Sequence, residues 1–467
     1  MKLSRLLQAV GLGGPEEAEI TDLTCDSRHV KQGSLYAALE GVRADGRQFI
    51  SSAVEQGASA ILCRGKVEAP VPVISVPEPR ETLGLLAAEF YGRPAERMTV
   101  IAVTGTKGKT TTAHMLREIL MAWGCKTGVI GTLGAFVDRE QIAPAGNTTP
   151  EPIALHRLLR QMADRGCTHV VIEASSQAVK LHRLSGLTFD VGVFLNLSPD
   201  HIGPGEHEDF EEYRRCKAGV LERCRCVVGN GGDPHWPFMA AHIPERTPRY
   251  VFEAANCLPG QDLGIKLELP GREPYQIPLP GIFNGQNALA ALVTAEWLGA
   301  PDHAIREGLA RTRVPGRCMV YPAPASYGVV IDYAHNGASF RAFFAALREQ
   351  RPNRIIAVFG AGGDRPPIRR QDLGRAAVEG ADFAVLTEDN PRSESAEEIC
   401  AQIARAMPDL PHVIIPDRRE AIQYALDLAQ PGDVVALLGK GHEEDIENNG
   451  VKRHFSEWEV LDEYFGQ

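Results

Sequence analysis

Thr99-Val100-Ile101-Ala102-Val103 runs through Thr104 into Gly105-Thr106-Lys107-Gly108-Lys109-Thr110-Thr111-Thr112. The first five residues form a continuous apolar, β-branched run, the pattern of a strand buried on both faces of a parallel sheet. Helical periodicity follows from Thr111 to Trp123, so a glycine turn joins a strand to a helix. Backbone N–H groups of such a turn, at a helix N-terminus, make an anion cradle. Lys109 is placed to reach β- and γ-phosphates, and the Thr110 hydroxyl to bind Mg²⁺. The spacing is shorter than in the common G-x-x-x-x-G-K-[ST] loop. A lysine-bearing turn with no ligand is the plain alternative. The strand before, the helix after and the three hydroxyls behind Lys109 favour nucleotide binding.

The same alternation spreads in both directions from this stretch. Downstream, Val170-Val171-Ile172 and Val191-Gly192-Val193-Phe194 read as strands of the same doubly wound sheet. Upstream, Ser34 to Leu39 reads as a strand and Gly57 to Leu62 as a helix end entering a strand. Gly92-Arg93-Pro94 then breaks the pattern as a linker. A third unit begins near Val314-Pro315-Gly316-Arg317. Its strands are Val329-Val330-Ile331, Ile355 to Val358, Phe383 to Leu386 and Val434 to Leu437. Each ends in polar or glycine residues, where ligands sit in open α/β sheets. The expected fold is three α/β domains.

Composition agrees. The 467 residues are 44% hydrophobic and 23% charged, an ordinary globular mixture, and about 150 residues per domain suggests three domains. Lys plus Arg is 49 against 60 Asp plus Glu, a net charge of −11, which disfavours a nucleic-acid partner. No apolar run reaches the roughly 18 residues of a membrane span. The N-terminus, with Glu16 and Glu17 soon after an amphipathic stretch, is no signal-peptide core. Ten scattered cysteines contain no C-x-x-C pair, so they are expected to be reduced, mostly core-filling thiols of a cytoplasmic protein. No membrane insertion is expected, and a monomer is.

A guanine-reading N-K-x-D is absent. The strand Thr168-His169-Val170-Val171-Ile172 ends in Glu173, where an acid can hold Mg²⁺ beside the loop. Asp200-His201 follows the next apolar run; alone such a pair forms a turn or cap, but beside Glu173 the histidine becomes a candidate second ligand.

Taken together, the segments resemble the Mur ligase family, and within it the MurE type, which adds the third amino acid to UDP-N-acetylmuramoyl-L-alanyl-D-glutamate in peptidoglycan precursor synthesis. In the first two domains the resemblance rests on Asp26-Ser27-Arg28, Asp45-Gly46, Asn147-Thr148-Thr149-Pro150, Glu173-Ala174-Ser175-Ser176, Asp200-His201 and Phe283-Asn284-Gly285-Gln286-Asn287. In the third it rests on Val314 to Arg317, Asp332-Tyr333-Ala334-His335, Gly362-Gly363-Asp364-Arg365, Asp389-Asn390-Pro391-Arg392 and Gly439-Lys440-Gly441-His442-Glu443.

The resemblance implies an α/β, three-domain Mur ligase architecture. A UDP-sugar-binding domain spans 1–94, a central ATP-binding P-loop domain with the doubly wound sheet spans 95–313, and a Rossmann-like amino-acid-binding domain spans 314–467. It implies an acyl phosphate made from ATP, then attack by an amino-acid amine. Gly105, Thr106, Gly108, Lys109, Thr110 and Thr111 would cradle the nucleotide. Asn287 would lie on the adenine side, while Arg317 and Asp332 close on ATP and couple domain closure to chemistry. Lys109 would neutralise the transferring phosphoryl, with Mg²⁺ near Thr110, Glu173, His201 and a carbamoylated Lys217. By itself Lys217, in Glu211 to Lys217, would read as a solvated helix lysine. Ser27 would meet the UDP-sugar, and Asn147, Thr148, Thr149, Ser175 and Arg183 the dipeptide portion.

Asp389-Asn390-Pro391-Arg392 matches the meso-diaminopimelate pattern, with Arg392 and Arg365 on the distal carboxylate and Gly439 and Glu443 receiving the distal ammonium. A guanidinium pairs a carboxylate bidentately, and lysine has no carboxylate there. The chain departs from the family pattern in five places. Asp200-His201-Ile202-Gly203-Pro204-Gly205-Glu206-His207 makes a longer loop before Lys217, and Gln177 replaces a histidine after the serine pair. Pro366-Pro367 follows Arg365, while Asn336-Gly337 and Met319 replace commoner residues. These leave open the same chemistry with L-lysine or another amino acid. A noncatalytic Mur-like binding protein is opposed by the joint presence of Lys109, Thr110, Glu173, His201 and Lys217. A folate-adding ligase is opposed by the first domain and Asp389 to Arg392.

Overall fold

The computed structural model describes residues 1–14, 18–41, 44–203, 205–254 and 256–466; Glu16, Glu17 and Pro204 lie outside the described residues. The chain forms two compact units, Met1–Glu253 with Ala290–Ile305, and Ala254–Leu289 with Arg306–Gln467.

The first unit holds two sheets. Strands β1 (Asp22–Thr24), β2 (Ser34–Ala38), β3 (Ala58–Cys63) and β4 (Val73–Ser75) form a parallel sheet in that order. The strand expected from Ser34 is β2, buried at every residue. Helix Pro79–Phe90 places Leu83, Leu86 and Ala87 in the same core as Leu3, Leu6 and Leu7. It stops at Gly92-Arg93, both left-handed, before Pro94.

The larger sheet contains β5 (Thr99–Thr104), β6 (Thr127–Gly131), β7 (Gly134–Val137), β8 (Glu140–Ala143), β9 (His169–Glu173), β10 (Phe189–Phe194), β11 (Cys224–Asn230) and β12 (Arg249–Phe252). Their spatial order is β12-β11-β10-β5-β9-β6-β7-β8. The decisive strand β5 sits mid-sheet, parallel to both neighbours, β9 and β10. Those neighbours are the two further strands expected from the apolar runs. The antiparallel extension β7–β8 was not expected. Helix Lys109–Ala122 follows the glycine turn and buries Ala113, Met115, Leu116, Ile119 and Leu120.

The second unit carries a small antiparallel sheet of β13 (Asn256–Pro259), β14 (Ile265–Glu268) and β15 (Tyr275–Ile277). Its main sheet contains β16 (Met319–Tyr321), β17 (Gly328–Asp332), β18 (Ile355–Phe359), β19 (Phe383–Leu386), β20 (His412–Ile414) and β21 (Val434–Leu438), in the order β16-β17-β21-β18-β19-β20. Only β16 pairs antiparallel within it. A hairpin of β22 (Asp445–Asn448) and β23 (Val451–His454) follows. All four strands expected in this region form, and their carboxyl ends carry the residues singled out there. The ten cysteines are unpaired, and six of them are buried.

Candidate active site

In the first unit the site grows from the end of β5. Gly108, at φ 86°, takes the left-handed turn that starts helix Lys109–Ala122, and no side chain caps that helix. Its first backbone N–H groups therefore have no intrahelical acceptor. Asn196, at the end of β10, braces the loop. Its Oδ1 accepts from the Lys107 amide at 2.9 Å, and its carbonyl accepts from the Thr106 amide at 2.9 Å. The Thr106 hydroxyl lies 3.0 Å from the Tyr213 hydroxyl.

Lys109 Nζ donates to the Gly105 carbonyl at 2.8 Å and to that of Thr106 at 3.2 Å. Lys217, on helix Phe210–Leu221, donates to the same Gly105 carbonyl at 2.7 Å and lies 4.8 Å from the Tyr213 ring. Burial, and then the charge of Lys109, pushes the Lys217 amine well below its ordinary range. Glu173 is buried at the end of β9. The Thr110 hydroxyl donates to its Oε2 at 2.9 Å; the Thr132 amide and hydroxyl add bonds of 3.0 and 3.1 Å. Burial raises the Glu173 carboxyl, against the pull of Lys109 and these donors.

His201 adopts a left-handed backbone, φ 54°, and its half-exposed ring faces Glu206 Oε1 at 3.1 Å. Asp200, held below its ordinary range by Lys107 and His201 against the effect of burial, pairs with Lys107 Nζ at 3.3 Å. Thr149 donates to the Glu173 carbonyl at 2.7 Å and to Ser175 Oγ at 3.2 Å, and Thr148 Oγ1 lies 3.1 Å from Thr132 Oγ1. Arg183 donates to the Thr149 carbonyl at 3.1 Å, while Asn147 is exposed. Thr148, Thr149, Ser175 and Arg183 are thus linked to the Glu173 strand. Ser27 opens a one-turn 3₁₀ helix capped by Asp26, whose carboxylate takes the Arg28 amide and guanidinium. Asp45 does the same for Arg47.

The second unit gathers its own cluster. Asp332, at the end of β17, is buried and accepts from the Cys318 and Ala334 amides at 2.7 Å each; burial raises its carboxyl, and Arg317 opposes the rise. The Arg317 guanidinium lies 5.3 Å from the Tyr333 ring. Asn287 is buried on Asn284. The Glu443 carboxylate accepts from Asn390 at 2.9 Å, Lys440 at 2.7 Å and Tyr333 at 3.3 Å. Those donors, Lys440 first, lower its carboxyl despite burial. Asp389 lies 3.9 Å from the buried Lys440 Nζ, and a Cβ on Gly439 would come within 2.9 Å of Asp389. Arg392 Nη1 donates to the Gly363 carbonyl at 2.7 Å. Gly363 itself abuts Pro391, whose carbonyl would collide with any side chain there. Arg365 is exposed beside Gly362. Arg392 and Asp364 both hold left-handed backbones, φ 53° and 55°, a conformation non-glycine residues keep where surrounding structure imposes it.

Thr132, Asn196, Tyr213 and Lys440 were not assigned from sequence. Asn196 and Lys440 lie within two residues of the ends of β10 and β21, a position that could have found them; Thr132 and Tyr213 carry no such signal.

An uncapped helix beside a buried and a half-buried lysine and a buried acid, joined to parallel α/β sheets, defines a phosphate-handling enzyme class. Three family models match the chain: the Mur ligase family catalytic domain over residues 19–91, the Mur ligase middle domain over 103–295, and the Mur ligase glutamate ligase domain over 316–441. The chain belongs to the Mur ligase family. A UDP-N-acetylmuramoyl-L-alanyl-D-glutamate–2,6-diaminopimelate ligase of Caldanaerobacter subterraneus subsp. tengcongensis is 37% identical over 459 residues, covering 95% of this chain and 94% of the relative. A ligase of the same name from Chlorobaculum tepidum is 38% identical over 482 residues, covering 97% and 94%. A solved structure of a ligase of that name matches with a TM-score of 0.74 at 28% identity, over 100% of this chain and 99% of its own. MurF from Acinetobacter baumannii, at 21% identity and a TM-score of 0.60 over 100% and 98%, shares the fold.

Proposed function

We propose that this protein is an ATP-dependent amide ligase that joins meso-diaminopimelate to UDP-N-acetylmuramoyl-L-alanyl-D-glutamate through an acyl phosphate, for peptidoglycan precursor synthesis in the cytoplasm. It acts as a monomer, with domains at 1–94, 95–313 and 314–467. The observation that carries this reading is the meeting of Lys109 and Lys217 on the Gly105 carbonyl, beside the buried Thr110–Glu173 pair.

The glycine turn at the N-terminus of helix Lys109–Ala122 and the Lys109 ammonium suit the phosphates of ATP. Among the described residues no three His, Cys, Asp or Glu side chains converge on one point. That fits Mg²⁺, which takes one or two carboxylates and relies on substrate phosphates for other ligands. Thr110, Glu173, His201 and Lys217 would hold it, and bound there it would neutralise phosphoryl charge. Lys217 is driven toward the neutral amine, the form that takes up CO₂. As a carbamate it would end the repulsion with Lys109 and present oxygen to the metal. Thr148, Thr149, Ser175 and Arg183 bind the dipeptide end of the substrate, and Ser27 the UDP-sugar. Asn287, Arg317 and Asp332 serve the nucleotide. Arg392 and Arg365 take the distal carboxylate of the amino acid, and Glu443 with Gly439 its ammonium.

The test is phosphate release from ATP and Mg²⁺ with the UDP-dipeptide and a panel of free amino acids. Release that requires the UDP-dipeptide and is fastest with meso-diaminopimelate is expected. Release with no amino acid of the panel would overturn the reading.

A further inference from the structure

Glu151 is the N-cap residue of helix Pro152–Asp164, yet its side chain makes no cap bond to that helix. It turns away to Arg183, whose Nη2 lies 2.7 Å from Glu151 Oε1. The other arm of that guanidinium, Nη1, donates to the Thr149 carbonyl. The fork of Arg183 is therefore set by two acceptors two residues apart, and only 11% of its side chain is exposed. The second oxygen of Glu151 faces another guanidinium, Arg80 Nη1, at 4.0 Å. Arg80 belongs to helix Pro79–Phe90, and its Nη2 donates to the Glu40 carbonyl at 3.1 Å. Glu40 in turn bridges to Asp45, the acid that caps the turn at Gly46. The same cluster reaches the Cys25 thiol, which burial and then the Glu151 charge push up, next to the Asp26-Ser27-Arg28 turn. One carboxylate thus ties the small N-terminal sheet to the loop of Thr148 and Thr149.

We propose that Glu151 is a positioning residue for the UDP-dipeptide: it orients the Arg183 guanidinium and, through Arg80, fixes the N-terminal sheet against the dipeptide-binding loop. This rests on the placement of the dipeptide at Thr148, Thr149, Ser175 and Arg183 proposed above. Two arginines and one glutamate leave a single positive charge, which matches the one carboxylate of the D-glutamate residue that is not activated. A guanidinium binds a carboxylate through a planar fork, so its orientation decides the strength of the contact. Displacement of about 1 Å can reduce rate by about 10²-fold. Glu151 is itself partly exposed, 38% of its side chain, so its replacement leaves the core intact.

The experiment is steady-state kinetics of the full-length protein with the UDP-dipeptide, ATP and meso-diaminopimelate, comparing wild type, Glu151→Gln, Glu151→Ala, Arg183→Ala and Glu151→Ala/Arg183→Ala. Glu140→Gln, which removes a solvent-exposed partner of Arg165 at 2.8 Å, is the control. Glu151→Ala is expected to raise KM for the UDP-dipeptide about 10–100-fold, leaving KM for ATP within about threefold. Glu151→Gln, which keeps an acceptor for Nη2, should fall between. In the Arg183→Ala background, Glu151→Ala should add clearly less than it costs alone, because the part acting through Arg183 is already lost and coupled residues are not additive. Additive losses, an unchanged or lowered KM for the UDP-dipeptide, or equal rises in both KM values would overturn the positioning role. A wild-type protein that releases no phosphate with these substrates would instead contradict the functional reading beneath it.

Discussion

Lys109 and Lys217 share one acceptor, the Gly105 carbonyl, at 2.8 and 2.7 Å, so the Lys109 charge, after burial, disfavours a charge on Lys217. Lys109 acts on charge that develops on the transferring phosphoryl, so Lys109→Ala should reduce kcat by about 10²–10³-fold with an unchanged melting temperature. Near-normal turnover of the purified variant would remove this loop from catalysis. For Lys217, burial disfavours the ammonium, and the neutral amine is open to CO₂. Lys217→Ala should be nearly inactive and partly recovered by short carboxylic acids, and ¹³CO₂ should give the wild type a carbamate resonance that the variant lacks. Full activity of the variant in CO₂-depleted buffer would contradict the carbamate. Lys109, Thr110 and Glu173 were legible because a strand, a glycine turn and a strand-end acid have fixed sequence neighbours. Thr132 and Tyr213 were not: a lone hydroxyl or phenol carries no pattern, and only the fold brings Thr132 to Glu173 and Tyr213 to Thr106.

At the scale of elements, the parallel strands were legible because burial on both faces demands unbroken apolar runs such as Val434 to Leu438. The small sheet of β13 to β15 was not. Asn256–Pro259 is largely exposed and ends in proline, and Ile265–Glu268 offers only two apolar residues in alternation. Helix Pro152–Asp164 illustrates how an element can depend on pH. Its His156 is buried, with Nε2 3.0 Å from the Ser185 carbonyl and Nδ1 without a partner. Burial pulls this imidazole down to about 4. Unfolded, it would take a proton near pH 6.5, so between about pH 6.5 and 4 the unfolded chain binds a proton that the folded one refuses. Stability from this site is full above about pH 6.5 and falls as the pH drops toward 4, by about 3 kcal/mol in all. Denaturant unfolding of wild type and His156→Gln at pH 7 and pH 4 should show that difference changing by about this amount. A pH-independent difference would mean the ring is solvated.

Over the whole molecule, each unit carries its own polar cluster, Lys109, Lys217, Thr110 and Glu173 in the first and Asn390, Lys440 and Glu443 in the second. The order of segments along the chain made the family legible. The departures at Pro366, Pro367, Asn336 and Met319 kept the amino acid open, because sequence does not show which side chains remain available. In the structure Asn336 caps helix Gly337–Glu349 with its side chain and Met319 begins β16; neither contact touches Arg392, Asn390 or Glu443. Arg392 keeps its left-handed backbone through its amide on the Glu447 carbonyl at 3.0 Å. Its guanidinium has the Gly363 carbonyl at 2.7 Å and the Glu447 carboxylate at 3.6 Å as partners; in the proposed function it also takes the second carboxylate of meso-diaminopimelate, a group L-lysine lacks. The most direct measurement is therefore kcat/KM for meso-diaminopimelate and for L-lysine, on wild type and on Arg392→Ala. The wild type should prefer meso-diaminopimelate by at least about 10³-fold. Arg392→Ala should lose about 2–5 kcal/mol of transition-state stabilisation with that substrate and little with lysine. Equal losses for both amino acids would make Arg392 structural, and a wild-type preference for lysine would contradict the assignment outright.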